Sequence, residues 1–158
     1  MDLEEAKNEV LEALFEKYKE NPNLDYNIAE DIKECDHEPH KLGKHLVSNR
    51  WVKNHQYQPL DGFVCQISIR GINEVAPEYF ESNVSVIVSV LKTTGVKQNA
   101  TALLGLEEAD FTKVRDIVEY MERKGLIEKP TYFALDAQIE LSLEGQDYYE
   151  KNKGGWLF

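Results

Sequence analysis

The sequence has few cysteines, no long apolar run and a shortage of positive charge. Its two cysteines, Cys35 and Cys65, predict reduced thiols in a cytoplasmic compartment. No apolar run approaches the ~20 residues of a bilayer span, and the first residues have the pattern of a charged helix, not of a signal peptide. We therefore expect a cytoplasmic protein without a membrane partner.

Positive charge is scarce and unevenly placed. The chain has 18 bases against 29 acids, a formal net charge of −11, which should repel nucleic acid unless bases are concentrated locally. Residues 1–36 hold twelve acids and four lysines, whereas residues 37–60 hold four bases and one acid. All four histidines also lie in residues 37–60. Nucleic-acid binding is thereby restricted to that segment.

The usual signatures of catalysis are missing from the sequence. It contains no glycine-rich phosphate loop after a strand, no nucleophile elbow and no His-Glu-x-x-His pattern. Its many carboxylates fall at helical positions where solvation is the default explanation. We expect neither an enzyme nor a cofactor.

An internal repeat organises the chain. A shift of 74 residues aligns residues 27–80 with the segment from Thr101 onward, and a shift of 73 aligns the first helix of each half. The repeat predicts two duplicated units, 1–80 and 81–153, followed by an apolar tail at 154–158. Aligned identities are Asp36 with Asp110, Ser68 with Ser142 and Gly71 with Gly145.

Both units are predicted to run helix, helix, helix, hairpin, helix, a mainly α class with small β-hairpins (α+β). In unit one, Leu11, Leu14, Phe15 and Tyr18 form one helical face, and Glu38-Pro39 opens the third helix. The predicted elements of unit one are helices at 26–33 and from 38, strands at 51–56 and 63–70, and a closing helix to about Phe80. Those of unit two are helices at 82–94, 100–104, 107–124 and 144–151 and strands at 126–129 and 138–143.

One stretch of unit two carries a family resemblance. Val114–Glu128, which includes Lys-Gly-Leu-Ile at its end, and Ile139–Gly145 together resemble the winged helix-turn-helix of the MarR and ArsR-like superfamily. Ser142 replaces the usual Thr of the strand end. Unit one looks similar but more diverged, with Asn49-Arg50-Trp51-Val52 in place of Lys-Gly-Leu-Ile. The resemblance implies two tandem winged helices, whose third helix would enter the DNA major groove and whose hairpin would lie against the DNA backbone or minor groove.

Unit one is the candidate for DNA binding and transcription regulation, since the third helix of unit two is neutral. On the exposed face of its third helix and just beyond, the candidate contacts with double-stranded DNA are Lys41, Lys44, His45, Ser48 and Arg50, with Lys53 on the phosphates. The alternative is that these residues only solvate an amphipathic helix and balance the acidic first helix. A homodimer would double the number of contacts.

A second hypothesis is a protein–protein interaction module that does not bind DNA. Its surfaces would be the acidic first helix, the neutral third helix of unit two and the apolar tail Trp156, Leu157 and Phe158. The tail could equally dock on the protein itself.

The cysteine and histidine spacing raises a metal-sensor hypothesis. Cys35, His37, His40 and His45 are ligand types that suit zinc or copper. Their spacing matches no standard structural zinc motif, and Pro39 interrupts the register. We therefore assign no metal site, and we expect Cys35 and Cys65 to be buried core residues.

Overall fold

A computed structural model describes residues 2–30, 38–60, 62–104 and 111–156. Within these ranges the protein is mainly helical and has two three-stranded antiparallel sheets, which confirms the mainly α class with small hairpins. The chain divides into two compact units, Met1–Pro77 and Glu78–Phe158. Among the described helices, none combines the length and the apolar character that crossing a bilayer requires.

Unit 1 surrounds a small sheet with helices. Helix α1 (Leu3–Glu20) precedes strand β1 (Tyr26–Asn27) and a 3₁₀ turn at Ile28–Glu30. After the undescribed residues 31–37 come α2 (Pro39–Ser48), β2 (Val52–Tyr57), β3 (Phe63–Ile67) and α3 (Ile69–Val75). The strand order is β1-β3-β2, so β2 is an outer strand of this sheet.

The helices of unit 1 begin and end where local chemistry dictates. Asp2 caps α1 in a reciprocal capping box with Glu5, which satisfies two backbone donors of the first turn. Pro39 occupies the first turn of α2, where its missing N–H costs no hydrogen bond. The buried side of α2 contains Gly43, against which the Phe63 ring packs so closely that a Cβ atom would overlap it.

Two predicted helices of unit 1 differ from the structure. The predicted helix at 26–33 begins instead as β1, because residues 26–27 pair with Val64 and Cys65 of β3. The closing helix ends at Val75 rather than near Phe80. Pro77 disfavours helical backbone at Ala76 and cannot donate a helical hydrogen bond, so the helix ends before these two residues. Phe80 lies in the next helix.

Unit 2 has a similar order of elements. Helix α4 (Glu78–Thr94) leads to β4 (Gln98–Asn99) and α5 (Ala100–Leu104). After residues 105–110 come α6 (Phe111–Arg123), β5 (Thr131–Phe133), β6 (Asp136–Ile139), α7 (Leu143–Asn152) and a 3₁₀ turn at Lys153–Gly155. The strand order is β4-β6-β5.

The first strand of the unit 2 hairpin starts later than predicted. Residues 126–129 contribute only a bridge between Ile127 and Leu141, and the regular pairing of β5 begins at Thr131. Pro130 lacks the N–H that a continuous ladder needs, so it separates the bridge from the strand. Gly125 stops α6 with φ +73°, as the sequence predicts.

In unit 1, Ser68 and Gly71 hold the start of α3 against the backbone that follows α2, an arrangement that we call the serine–glycine closure. The hydroxyl of Ser68 accepts a hydrogen bond from the backbone N–H of Gly71 (3.1 Å) and donates one to the carbonyl of Arg50 (2.7 Å). The backbone N–H of Ser68 donates to the carbonyl of Trp51 at 3.0 Å. A Cβ atom on Gly71 would overlap that same carbonyl oxygen, so the approach requires glycine.

Unit 2 has the same arrangement at its own helix end. The Ser142 hydroxyl accepts from the N–H of Gly145 (2.9 Å) and donates to the carbonyl of Gly125. A Cβ atom on Gly145 would overlap the carbonyl oxygen of Leu126. The sequence alignment of the two Ser and two Gly positions therefore coincides with a shared local geometry.

Lys7 is an almost fully buried cation that contacts the residues around the end of α2. Its Nζ contacts Glu4 at 2.7 Å and Glu74 at 3.0 Å, and lies 4.7 Å from the centre of the Trp51 ring. Burial lowers the pKa of Lys7, but the hydrogen bonds with Glu4 and Glu74 outweigh this, so its pKa lies above the ordinary value. The ammonium group therefore links α1 and α3 to Trp51, which lies between α2 and β2.

Cys65 is a core residue, as predicted. It is fully buried in β3, and burial, with a smaller contribution from the charge of Asp25, raises the pKa of its thiol to about 12. Cys35 lies outside the described residues.

Substituting Gly71 tests whether the serine–glycine closure stabilises unit 1. We expect Gly71→Ala to lower the free energy of unfolding by about 1–3 kcal/mol, because the new methyl group meets backbone that cannot move away cheaply. Urea denaturation followed by circular dichroism measures the effect. The control is Gly154→Ala, which has no heavy atom within 4 Å of the new Cβ. Equal stability of the two variants would contradict the closure.

Candidate nucleic-acid interface

The cationic side chains predicted on the third helix of unit 1 lie on its surface. Lys41, Lys44 and Ser48 are exposed on α2, on the side opposite buried Leu42 and Leu46. Periodicity therefore assigned this face of α2 correctly. We call Lys41, Lys44 and Arg50 the cationic face.

The two lysines of α2 are largely unneutralised. Lys41 has a side chain 81% exposed and lies 3.8 Å from Glu38, a distance at the outer limit of an ion pair. Such exposed pairs are worth little, so Glu38 does not cancel the charge of Lys41. Lys44 has no ion pair with any residue that the structure describes. Both ammonium groups are accessible to an anionic ligand.

Ser48 and His45 have partners within the protein. The exposed Ser48 hydroxyl donates to the carbonyl of Lys44 at 2.9 Å, and its oxygen can still accept a hydrogen bond. The half-buried His45 ring lies edge-on to Trp51 at 5.5 Å, and its Nδ1 is 3.5 Å from the Asn49 amide nitrogen. His45 therefore lies at the margin of the cationic face, where it packs against the turn that follows α2.

Arg50 has an unusual backbone for its residue type. The N–H groups of Arg50 and Trp51 donate to the carbonyls of Val47 and Leu46, a Schellman ending of α2. This ending places Arg50 at φ +59°, the left-handed region that favours glycine. Its side chain is exposed, so no buried packing compensates the strain. Unit 2 has Gly125 at the corresponding point of α6.

Lys53 extends the positive charge onto the outer strand β2. It is half-buried and pairs with Gln66 of β3. The register of β2 then shifts at a bulge that contains Asn54, whose φ is +53°. Pairing with β3 resumes beyond the bulge at Gln56 and Tyr57, opposite Val64 and Phe63. Residues 54–57 are all exposed.

The sequence prediction did not include the aromatic residues of this segment. His55 and Tyr57 are exposed two residues apart on β2, and Tyr57 lies 5.1 Å from the buried Phe63 ring and 5.3 Å from the His40 ring. Alternation along the strand could have placed His55 and Tyr57 on one face. Only the fold places His40 of α2 beside them.

His40 positions the β2–β3 loop rather than a metal ion. Its Nε2 lies 3.1 Å from the carbonyl oxygen of Gln58 and 2.8 Å from that of Gly62, so this nitrogen donates. In the part of the chain that the structure describes, no group of three or more His, Cys, Asp or Glu residues could hold a metal ion. Cys35 and His37 of the predicted cluster lie outside that part.

The C-terminal tail begins by packing on its own unit. The half-buried Trp156 ring lies 5.7 Å from Tyr148 and 5.8 Å from Tyr149. Leu157 and Phe158, also predicted as interaction residues, are outside the described residues. The structure therefore favours self-docking for Trp156.

The hairpin of unit 2 differs in character from that of unit 1. Tyr132, Phe133 and Leu135 are each more than 40% exposed, around a turn in which Ala134 has φ +46°. Beside them on α6, Arg115 pairs with Glu119 at 3.2 Å and lies 5.8 Å from the Tyr132 ring. This face of unit 2 is therefore apolar, and the charge of Arg115 on it is paired with that of Glu119.

No family model, no curated protein and no solved structure matches the chain. The function must therefore be inferred from the residues and geometry of the protein itself.

Arg50 offers a test of backbone strain beside the cationic face. We expect Arg50→Gly to raise the free energy of unfolding by about 1 kcal/mol, because glycine adopts the left-handed conformation without a Cβ clash. Chemical denaturation measures this change, with Arg50→Ala as the control that removes the charge but keeps the Cβ atom. A stability of Arg50→Gly at or below that of Arg50→Ala would contradict the strain.

Proposed function

We propose that the protein binds double-stranded DNA through the cationic face of unit 1. The observation that carries this proposal is the exposure of Lys41, Lys44 and Arg50 on the surface of a unit that is acidic elsewhere. Unit 1 as a whole has nine bases and fifteen acids, a net charge of −6. A concentration of accessible cations against that background has the character of a phosphate-binding surface.

The order of elements supports a winged helix as the proposed fold of each unit. In unit 1 the hairpin β2–β3 follows α2 directly, and in unit 2 the hairpin β5–β6 follows α6. In both units the first strand pairs with the last one, and a Ser–Gly closure follows. These parallels favour an internal duplication, with unit 1 binding DNA and unit 2 serving architecture or dimerisation.

Transcription regulation in the cytoplasm is the biological role that we attach to this proposal. A winged helix with its third helix in the major groove can read base edges through polar groups that lie between its phosphate contacts. Ser48 is such a group in α2. A homodimer would place two cationic faces on one duplex.

The small number of cations predicts weak and salt-sensitive binding. The four bases of this surface, Lys53 included, can neutralise about four phosphates, which corresponds to a slope of about −3.6 in a plot of log K against log salt concentration. Acidic residues elsewhere oppose the approach of DNA, so the affinity should be measurable only at low salt.

Charge reversal on α2 tests the proposed function. We expect Lys41→Glu/Lys44→Glu to abolish binding to a fluorescein-labelled duplex in an anisotropy titration at low salt, because two phosphate contacts become repulsive. The milder Lys41→Gln/Lys44→Gln should reduce the salt slope by about 2, one for each lost contact.

The matched control makes the same change of charge away from the cationic face. Lys97 and Lys129 are exposed residues of unit 2. If Lys97→Glu/Lys129→Glu weakens binding as much as the reversal on α2, attraction is not localised to α2. That result, or equal weak binding by all variants, would rule out the proposed function.

The apolar hairpin of unit 2 favours a second candidate function, a protein-interaction module. Three large apolar side chains exposed around one turn, Tyr132, Phe133 and Leu135, form a patch of the kind that marks protein contacts. The described part of the tail offers less, because Trp156 is already packed on Tyr148 and Tyr149.

Replacement of the patch tests this second candidate. A stoichiometric partner that co-purifies with the protein should be lost from Tyr132→Ser/Phe133→Ser/Leu135→Ser, since the apolar area it covers is gone. It should be retained by Leu24→Ser/Leu60→Ser/Leu143→Ser, which removes three exposed apolar side chains elsewhere. A protein that co-purifies with nothing, or a partner kept by both variants, would contradict this candidate.

A further inference from the structure

Two exposed aromatic rings lie on the outer strand of unit 1. His55 and Tyr57 are two residues apart on β2, and their ring centroids are 5.9 Å apart with the ring planes nearly perpendicular, at 85°. Tyr57 is 48% exposed, and His55 is also exposed. Apolar ring surface that stays in contact with water forgoes the favourable free energy of burial.

The rings have a rigid support beneath them. The fully buried Phe63 lies 5.9 Å from the His55 ring and 5.1 Å from the Tyr57 ring. His40 contacts Tyr57 at 5.3 Å and hydrogen-bonds the carbonyls of the β2–β3 loop. These contacts hold the two exposed rings in place before any ligand binds, which reduces the entropy lost on binding.

The same contacts bring the rings next to the cationic face. His40 touches Tyr57, and Lys44 follows His40 by one helical turn, so the two lie on the same side of α2. Lys41 is the next residue after His40 and is exposed. Aromatic rings and ammonium groups therefore share one surface of unit 1.

This combination suits nucleic acid that has unpaired bases. Within a duplex the faces of the bases are stacked on each other, and only their edges reach the grooves. An unpaired base exposes its π-face and can stack on Tyr or His while cations hold the adjacent phosphates. Phosphate contacts explain the lysines, but they do not explain two exposed rings beside them.

We propose that His55 and Tyr57 form a stacking platform for an unpaired base, which stacks on the face of one ring and lies edge-to-face with the other, so that unit 1 prefers DNA in which base pairing is locally interrupted. The inference rests on the proposed function, because Lys41 and Lys44 hold the phosphates of the same strand. Stacking on the platform adds to that attraction only when a base is free to leave the helix. The preferred ligand class is therefore duplex DNA with a mismatch, a bubble or a single-stranded end.

The experiment compares two fluorescein-labelled duplexes of equal length and charge. One is fully paired, and the other has adjacent T·T mismatches at its centre. We expect the wild-type protein to bind the mismatched duplex about tenfold more tightly at low salt, which is within the range for one stacked base. Tyr57→Leu/His55→Leu should lose this preference and bind both duplexes as the wild type binds the paired one.

Two further variants separate stacking from folding and from general aromatic content. Tyr57→Trp should keep the preference, because indole stacks at least as well as phenol, and circular dichroism checks that each variant is folded. Tyr132→Leu/Phe133→Leu changes two exposed aromatic residues of the other hairpin and should also keep the preference.

The outcomes distinguish this inference from the proposed function. Equal binding of both duplexes by the wild type, or a preference that survives Tyr57→Leu/His55→Leu, overturns the stacking platform and leaves DNA binding by the cationic face intact. Binding of neither duplex overturns both. Loss of the preference in folded Tyr57→Leu/His55→Leu, with unchanged affinity for the paired duplex, supports the platform.

Discussion

The geometry of unit 1 depends on one short contact, the approach of the helix α3 to the backbone that leaves α2. The Ser68 hydroxyl joins the N–H of Gly71 to the carbonyl of Arg50, and the absence of a Cβ atom on Gly71 leaves room for the Trp51 carbonyl. These two residues hold the backbone of Arg50 and Trp51, from which β2 departs, against the start of α3. The position of the hairpin beside α2, and with it the neighbourhood of lysines and rings, follows from that contact.

Sequence patterns predicted the features that depend on local periodicity. The buried and exposed sides of α2 follow from the spacing of Leu42 and Leu46, and the shift that aligned Ser68 with Ser142 marked two closures with the same geometry. Features that depend on contacts between residues far apart in the sequence could not be predicted from local patterns. The strand at residues 26–27 exists because β3 pairs with it, and His45 is drawn to Trp51 by the turn after α2.

The two units use different residues at the same left-handed backbone position. The helix before each hairpin, α2 or α6, ends in a left-handed residue, which is Arg50 in unit 1 and Gly125 in unit 2. A charged residue at this point costs stability that glycine would not, so its presence calls for a benefit outside folding. The phosphate binding that we propose for this face would be such a benefit. The neighbouring hairpins diverge in parallel, with imidazole and phenol rings near lysines in unit 1 and an apolar turn in unit 2.

Trp51 receives two very different neighbours, the ammonium group of Lys7 over its ring and the imidazole of His45 at its edge. Trp156, the second tryptophan of the sequence, packs instead on two tyrosines of unit 2. Each unit therefore carries its own intrinsic fluorophore in a distinct electrostatic environment. With one indole replaced by phenylalanine, the emission of the other reports on a single unit, and the melting of the two halves can be followed separately without an added label.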